Sequence, residues 1–303
     1  MATHHTTMSA KKTIAIIGAT GRLAQPVIRQ LLWHGYQVRA VVRSIEKAQK
    51  MLPDSVVLMP GDVADTNSLM QAFKGVDYVY INLSADDVQP NQAFYAEREG
   101  IQNIVNACQL NGIQQILKIS ALGAYPFIEH HKDILQNQIR RQGHRFIEQS
   151  NIPFTIFHPT WFLDSLFWAI KKNNFQWIGK PVDFYWISSD DYAVQVIEAI
   201  GNPKAFDTHY AVQGPEKMNY KQVFERLKTA FNPQLKMQVL PLWLVKLMGI
   251  FSPKMSHLAE LFGFYEQTNE AFYAQKTWVD LGKPRTSPEE FAQQFGEEKS
   301  LYL

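Results

Sequence analysis

The chain has 303 residues, 46% hydrophobic and 19% charged, which suits one large α/β domain with a smaller appended part and excludes a disordered or fibrous chain. Its 30 basic and 28 acidic side chains leave a formal charge of +2, too small for nucleic acid to be the main partner. The single cysteine, Cys108, excludes an internal disulfide and fits a reducing, cytoplasmic setting.

Residues 1–12 are polar and read as a flexible tail without the apolar run of a signal peptide; His4 and His5 are given no role. From there, short β-branched runs alternate with helical patterns. Strands are expected at 13–18, 36–42, 56–60, 77–83, 115–120 and 154–159, with helices starting near Gly21, Ile45, Asn67, Ala93 and His131. Near-continuous apolar strands such as Ile14-Ala15-Ile16-Ile17 belong to a sheet covered on both faces. The expected fold is α/β: a doubly wound parallel-sheet Rossmann domain over 13–160, followed by a smaller mixed α+β region.

Between the first strand and first helix lies Gly18-Ala19-Thr20-Gly21-Arg22-Leu23-Ala24, a G-x-x-G-x-x-A turn. A first glycine permits the sharp exit from the strand, and a second lets the backbone approach a pyrophosphate. A small third residue lets helix pack on strand, and the helix start faces the phosphate charge. The second strand ends at Arg43, where an acidic residue would favour NAD; a guanidinium instead suits the 2′-phosphate of NADP, with Arg22 within reach of the same phosphate and Ser44 and Lys47 nearby.

After Pro159 the rhythm breaks and aromatic residues crowd the chain from Trp161 to Trp186. Residues 161–303 are expected to form mainly the substrate side, with some segments returning to the Rossmann core. Asp190-Asp191 read as the cap of a helix over 192–200, and further elements are expected at 210–213, 220–231, 242–251 and 288–295. The apolar stretch 239–251 is too short to span a membrane and reads as a buried or pocket-covering helix.

With Val41-Val42-Arg43, Gly61-Asp62-Val63, Gly100-Ile101-Gln102-Asn103-Ile104, Lys118-Ile119-Ser120, residues 150–159 and Gln213-Gly214-Pro215-Glu216 in order, the chain resembles the NmrA-like branch of the short-chain dehydrogenase/reductases. The resemblance implies that Asp62 and Val63 border the adenine and that Asn82, Leu83 and Ser84 line the exit of the fourth strand. It also implies that Ser120, Pro159 and Thr160 lie near the nicotinamide. The chain departs from the superfamily in one respect that bears on chemistry: no Tyr-x-x-x-Lys pair occurs between Ser120 and Pro159. His158 also stands where the family has arginine, and Asn151 where it has glycine.

Ser120, Tyr125 and His158 remain as candidate proton donors, and Trp161, Phe162 and Trp168 as flat apolar walls for a substrate. No metal site is expected, the His130-His131 pair reading as exposed. The leading reading is a cytoplasmic NADPH-dependent oxidoreductase that passes hydride to a small apolar acceptor such as a quinone or carbonyl. A non-catalytic NADP-sensing regulator is the alternative, and a sugar-nucleotide epimerase or dehydratase a third. The expected partner is a small molecule, with neither nucleic acid nor stable membrane insertion.

Overall fold

The computed structural model describes residues 11–85, 88–128, 133–168, 170, 171 and 173–300; His4, His5, His130 and His131 lie outside them. The first half runs β1 (Thr13–Ile17), α1 (Ala24–Trp33), β2 (Gln37–Val42), α2 (Ile45–Gln49), β3 (Val57–Pro60), α3 (Thr66–Ala72), β4 (Tyr78–Ile81), α4 (Ile101–Leu110), β5 (Gln115–Ile119), α5 (Leu135–Glu148) and β6 (Phe154–Pro159). The second half contributes α6 (Leu163–Trp168), β7 (Ile170–Lys171), β8 (Asn174–Ile178), β9 (Asp183–Tyr185), α7 (Ser189–Ala199), β10 (Thr208–Val212) and β11 (Lys217–Asn219). It continues with α8 (Tyr220–Phe231), β12 (Lys236–Leu240), α9 (Leu242–Gly249), α10 (Pro253–Tyr265), α11 (Gln275–Leu281) and α12 (Pro288–Ser300).

Seven strands form one parallel sheet in the order β10-β6-β5-β4-β1-β2-β3. Strand β1 shows why both faces are covered. Its side chains alternate, so Ile14 and Ile16 join one core with Val27, Ile28 and Leu31 of α1 and Tyr192 and Val196 of α7. Ala15 and Ile17 enter the opposite core with Leu69 of α3 and Ile101, Ile104 and Cys108 of α4. Cys108 is wholly buried there, and burial pushes its thiol up, away from the reactive thiolate.

A third core, built from Phe167, Phe175, Trp177, Phe184, Trp186, Tyr220 and Phe224, holds together the smaller lobe with its three-stranded β12-β8-β7 and two-stranded β11-β9 sheets. Most of the aromatic run is therefore packing. The stretch 239–251 departs from expectation. Helix α9 buries only Val245, while Trp243 is 67% and Phe251 86% exposed, because α9 packs chiefly against α10 and the aromatic core of the lobe is already closed by α8 and α12. Among the described residues, no helix is long and apolar enough to cross a membrane.

Before α4 the chain makes a π-helical turn, Ala96–Gly100, which directs Glu97 inward. Its carboxylate lies 2.7 Å from Nζ of Lys118 on β5 and 3.7 Å from Nε of Arg140 on α5. Lys118 Nζ also donates to the Ile119 carbonyl at 2.8 Å. Burial pushes the Lys118 ammonium down, and Glu97 counteracts this. Helix α5 can cross the turn because Gly143 lacks a side chain: a Cβ there would lie 2.0 Å from the Glu97 carbonyl oxygen.

Removing one partner strands the other charge in a dry interior. Glu97→Ala is expected to lower unfolding free energy by about 3–5 kcal/mol in denaturant titration, and Gly143→Ala by about 1–3 kcal/mol through overpacking.

Candidate cofactor and substrate site

Strand order reverses between β1 and β4, and open α/β sheets bind ligands in the crevice outside the carboxyl ends of such strands. Gly18 turns out of β1 with φ 74°, a left-handed conformation that disfavours side chains. A Cβ on it would lie 2.0 Å from the carbonyl oxygen of Asn82, the residue that leaves β4. The Asn82 backbone N–H donates to the Ile17 carbonyl at 2.9 Å, and its side-chain Nδ2 donates to the Gly18 carbonyl at 3.2 Å. Gly21 closes the turn by donating to the same carbonyl at 2.9 Å.

On the β1-β2-β3 side of the crevice a groove of about 860 Å³ is lined by Gly18, Thr20, Arg43, Asp62, Val63, Leu83 and Ser84 from the sequence reading, together with Ser44 and Lys47. Arg43, Ser44 and Lys47 are exposed at its rim, and neither basic group makes an ion pair among the described residues. The Asp62 carboxylate accepts from the Ala64 N–H at 2.9 Å and the Asp62 N–H donates to Ser68 Oγ at 3.0 Å, which fixes the loop after β3.

On the β5-β6 side a cavity of about 480 Å³ is lined by Leu23, Ser120, Pro159, Thr160, Trp161, Phe162 and Trp168, with Phe264, Tyr265, Glu270 and Tyr273. Two polar atoms on this lining, Ser120 Oγ and Trp161 Nε1, are buried and have no protein hydrogen-bond partner. Buried polar groups are ordinarily satisfied, and the protein leaves these two unsatisfied. Glu270 is 3% exposed, and burial pushes its carboxyl up. It accepts from Thr160 Oγ1 at 2.6 Å and Gln213 Nε2 at 2.6 Å. Gln213 Oε1 accepts in turn from the Tyr273 N–H at 2.6 Å and the Ala274 N–H at 3.1 Å, so one amide clamps the cavity-lining segment against the end of β10.

Five expected site residues line neither space, the first being Gly21, which closes the turn. Arg22 points away from the Arg43 rim, its guanidinium 4.9 Å over the Trp168 ring, because a cation over an indole face is favoured at that edge. Asn82 braces the turn and lines neither space. Tyr125 is half-buried behind the cavity wall, 5.2 Å from the His158 ring and 6.1 Å from Tyr273, and burial pushes its phenol up. His158 is fully buried, with Nδ1 3.1 Å from the Ala121 carbonyl and Nε2 2.9 Å from His209 Nδ1. Neither Tyr125 nor His158 lines the cavity, whose wall here is Ala121, Leu122 and Gly123. Glu270 escaped the sequence reading because it is brought to Thr160 across 110 positions by the fold, with no local pattern to mark it.

The chain belongs to the NAD(P)H-binding family, whose model matches residues 18–203. It is 25% identical over 154 residues to the photosystem II assembly factor Ycf39 of Cyanophora paradoxa, covering 51% of this chain and about half, 47%, of that protein. It is 23% identical over 228 residues to an NAD(P)H azoreductase of Xenophilus azovorans, covering 72% and 73% of the two chains. Among solved structures, the Escherichia coli NADPH-dependent quinone oxidoreductase QOR2 in complex with NADPH superposes with a TM-score of 0.72 at 19% identity, covering 93% of this chain and 99% of that one. NmrA, a negative transcriptional regulator, in complex with NADP superposes with a TM-score of 0.70 at 18% identity, covering 97% and 99%. The NmrA-like resemblance read from the sequence thus agrees with both the family model and the fold.

Gly18→Ala combines a left-handed backbone cost of about 1–2 kcal/mol with a backbone overlap. It is expected to lower the melting temperature and weaken NAD(P)H binding at least about tenfold, read by thermal unfolding and fluorescence titration.

Proposed function

We propose that this chain is an NADPH-dependent oxidoreductase that reduces a small apolar acceptor, a quinone or related carbonyl, in the aromatic cavity beside β5 and β6. The observation that carries this reading is the pair of unpartnered buried donors, Ser120 Oγ and Trp161 Nε1, on an aromatic-rich wall at the carboxyl end of the sheet.

The residues present fit the cofactor. Gly18 leaves the backbone bare at the crevice. Thr20, Asp62, Val63, Leu83 and Ser84 would hold the dinucleotide along the groove, and Arg43, with Lys47 beside it, would take the 2′-phosphate. Bound there, the nicotinamide supplies a hydride.

Trp161, Phe162 and Trp168 would hold a flat acceptor and exclude water, and Ser120 and Trp161 would donate hydrogen bonds to its oxygen. A quinone takes one hydride and one proton to become a hydroquinone. Its oxygen after hydride transfer is far less basic than an alkoxide, so a dedicated Tyr/Lys pair is dispensable. Glu270 lines the cavity and accepts from the Thr160 hydroxyl, which it would hold in place, and the proton would come from solvent.

One observation favours a second reading. Among the described residues no lysine lines the cavity beside its tyrosines, Tyr265 and Tyr273, and Lys118 is engaged by Glu97. A protein that binds NADP and reports its presence without turnover has no need of that pair.

NADPH oxidation with a panel of quinones and aldehydes separates the two. Turnover on quinones is expected, and tight NADPH binding without turnover on any acceptor would install the sensor instead. Ser120→Ala is expected to lower kcat by about 10²-fold. Arg43→Ala is expected to weaken NADPH binding about 10- to 100-fold while leaving NADH unchanged; equal affinity of the unaltered protein for both cofactors would remove Arg43 from this role.

A further inference from the structure

Behind the cavity wall, three histidines from three elements converge. His158 lies on β6 and His209 on β10, where His209 pairs with Ile156, so the two imidazoles are diagonal neighbours on one face of the sheet. His144 comes from α5 packed on that face, and one nitrogen of each ring lies within 4.8 Å of the other two. Their ring centroids are 5.2 to 5.8 Å apart.

The outer hydrogen bonds decide where the lone pairs point. His158 Nδ1 faces the Ala121 carbonyl, which can only accept, so Nδ1 carries the proton and Nε2 presents a lone pair. His209 Nε2 lies 3.1 Å from Glu148 Oε1, so Nε2 donates to that acceptor and Nδ1 is the nitrogen turned toward His158. His158 Nε2 and His209 Nδ1 lie 2.9 Å apart. The third ring adds a further unpaired nitrogen: His144 is 2% exposed, and its Nε2 is buried without a partner.

We propose that His144, His158 and His209 form a site for a divalent transition metal of the zinc class. Metal-bound histidines characteristically donate their far N–H to a backbone carbonyl or a carboxylate, the arrangement His158 and His209 already have with Ala121 and Glu148. Three imidazoles with an open fourth position are a known donor set for zinc. Zinc–nitrogen bonds of about 2.0–2.1 Å place ligand nitrogens about 3.3 Å apart, so binding moves His158 and His209 slightly apart and draws His144 inward. Glu148, 40% exposed and four residues after His144 on α5, opens the site to solvent. A bound ion would join α5 to β6 and β10 one peptide behind the cavity.

The test uses the full chain after chelator treatment, titrated with Zn²⁺ by calorimetry and with Co²⁺ by visible absorption. One equivalent of each is expected, with tetrahedral cobalt bands and a zinc-dependent rise in melting temperature. His144→Asn should weaken zinc at least about 100-fold, and Glu148→Gln about 10- to 100-fold, with unchanged far-ultraviolet circular dichroism. Failure of the unaltered protein to take up one equivalent overturns the proposal. So does a His144→Asn protein that binds as tightly, since other histidines would then hold the ion. Should His144→Asn not fold, the surface variant Glu148→Gln decides: unchanged affinity and cobalt spectrum overturn the site.

Discussion

One steric constraint underlies the functional architecture: the α-carbon of Gly18 sits so close to the Asn82 carbonyl that no side chain fits between them. That contact joins the end of β1 to the end of β4 where the strand order reverses, and it opens the crevice of a doubly wound sheet. The groove over β1, β2 and β3 and the cavity beside β5 and β6 lie on either side of it. Asn82, bonded to both Ile17 and Gly18, holds the contact closed.

Polar groups next to the cavity are buried in three sets, each balanced differently. Glu97, Lys118 and Arg140 balance charge with charge beneath β5. Glu270, Thr160 and Gln213 balance a carboxyl with hydrogen bonds at the cavity itself. The histidine cluster sets the inner nitrogens of His158 and His209 against one another, with the unpartnered Nε2 of His144 buried beside them. The aromatic lobe carries none of this load. Trp177 and Trp186 close its core, while its inner edge, with Trp161, Trp168, Phe184 and Tyr265, contributes to the cavity wall.

Much of the fold was legible in the chain. Strand β6 and helix α8 fall where their patterns place them, and the other five strands of the first half differ by a few residues at their ends. The glycine turn announced the crevice, and Arg43 at the end of β2 lies on the groove it was expected to border. Other features were not legible. Arg22 was expected beside Arg43, yet a neighbouring indole from α6, 146 positions away, attracts its guanidinium. The stretch 239–251 looked buried by composition, and its exposed Trp243 and Phe251 show that apolar character alone does not provide a partner surface.

By itself the sequence determined the parallel sheet, the turn geometry and the covalent placement of the groove residues, since periodicity and glycine stereochemistry act over a few positions. Tertiary structure alone decided which polar groups meet. His158 was a plausible proton donor in the chain, but β10 and α5 surround it with His209 and His144 and remove it from the cavity. Glu270 had no distinguishing neighbour in the chain and becomes the cavity's buried acid only when Gln213 draws its segment onto β10. Local rules shape the strand and the turn; the surroundings of His158 and Glu270 depend on contacts with residues more than 50 positions away, which no local pattern records.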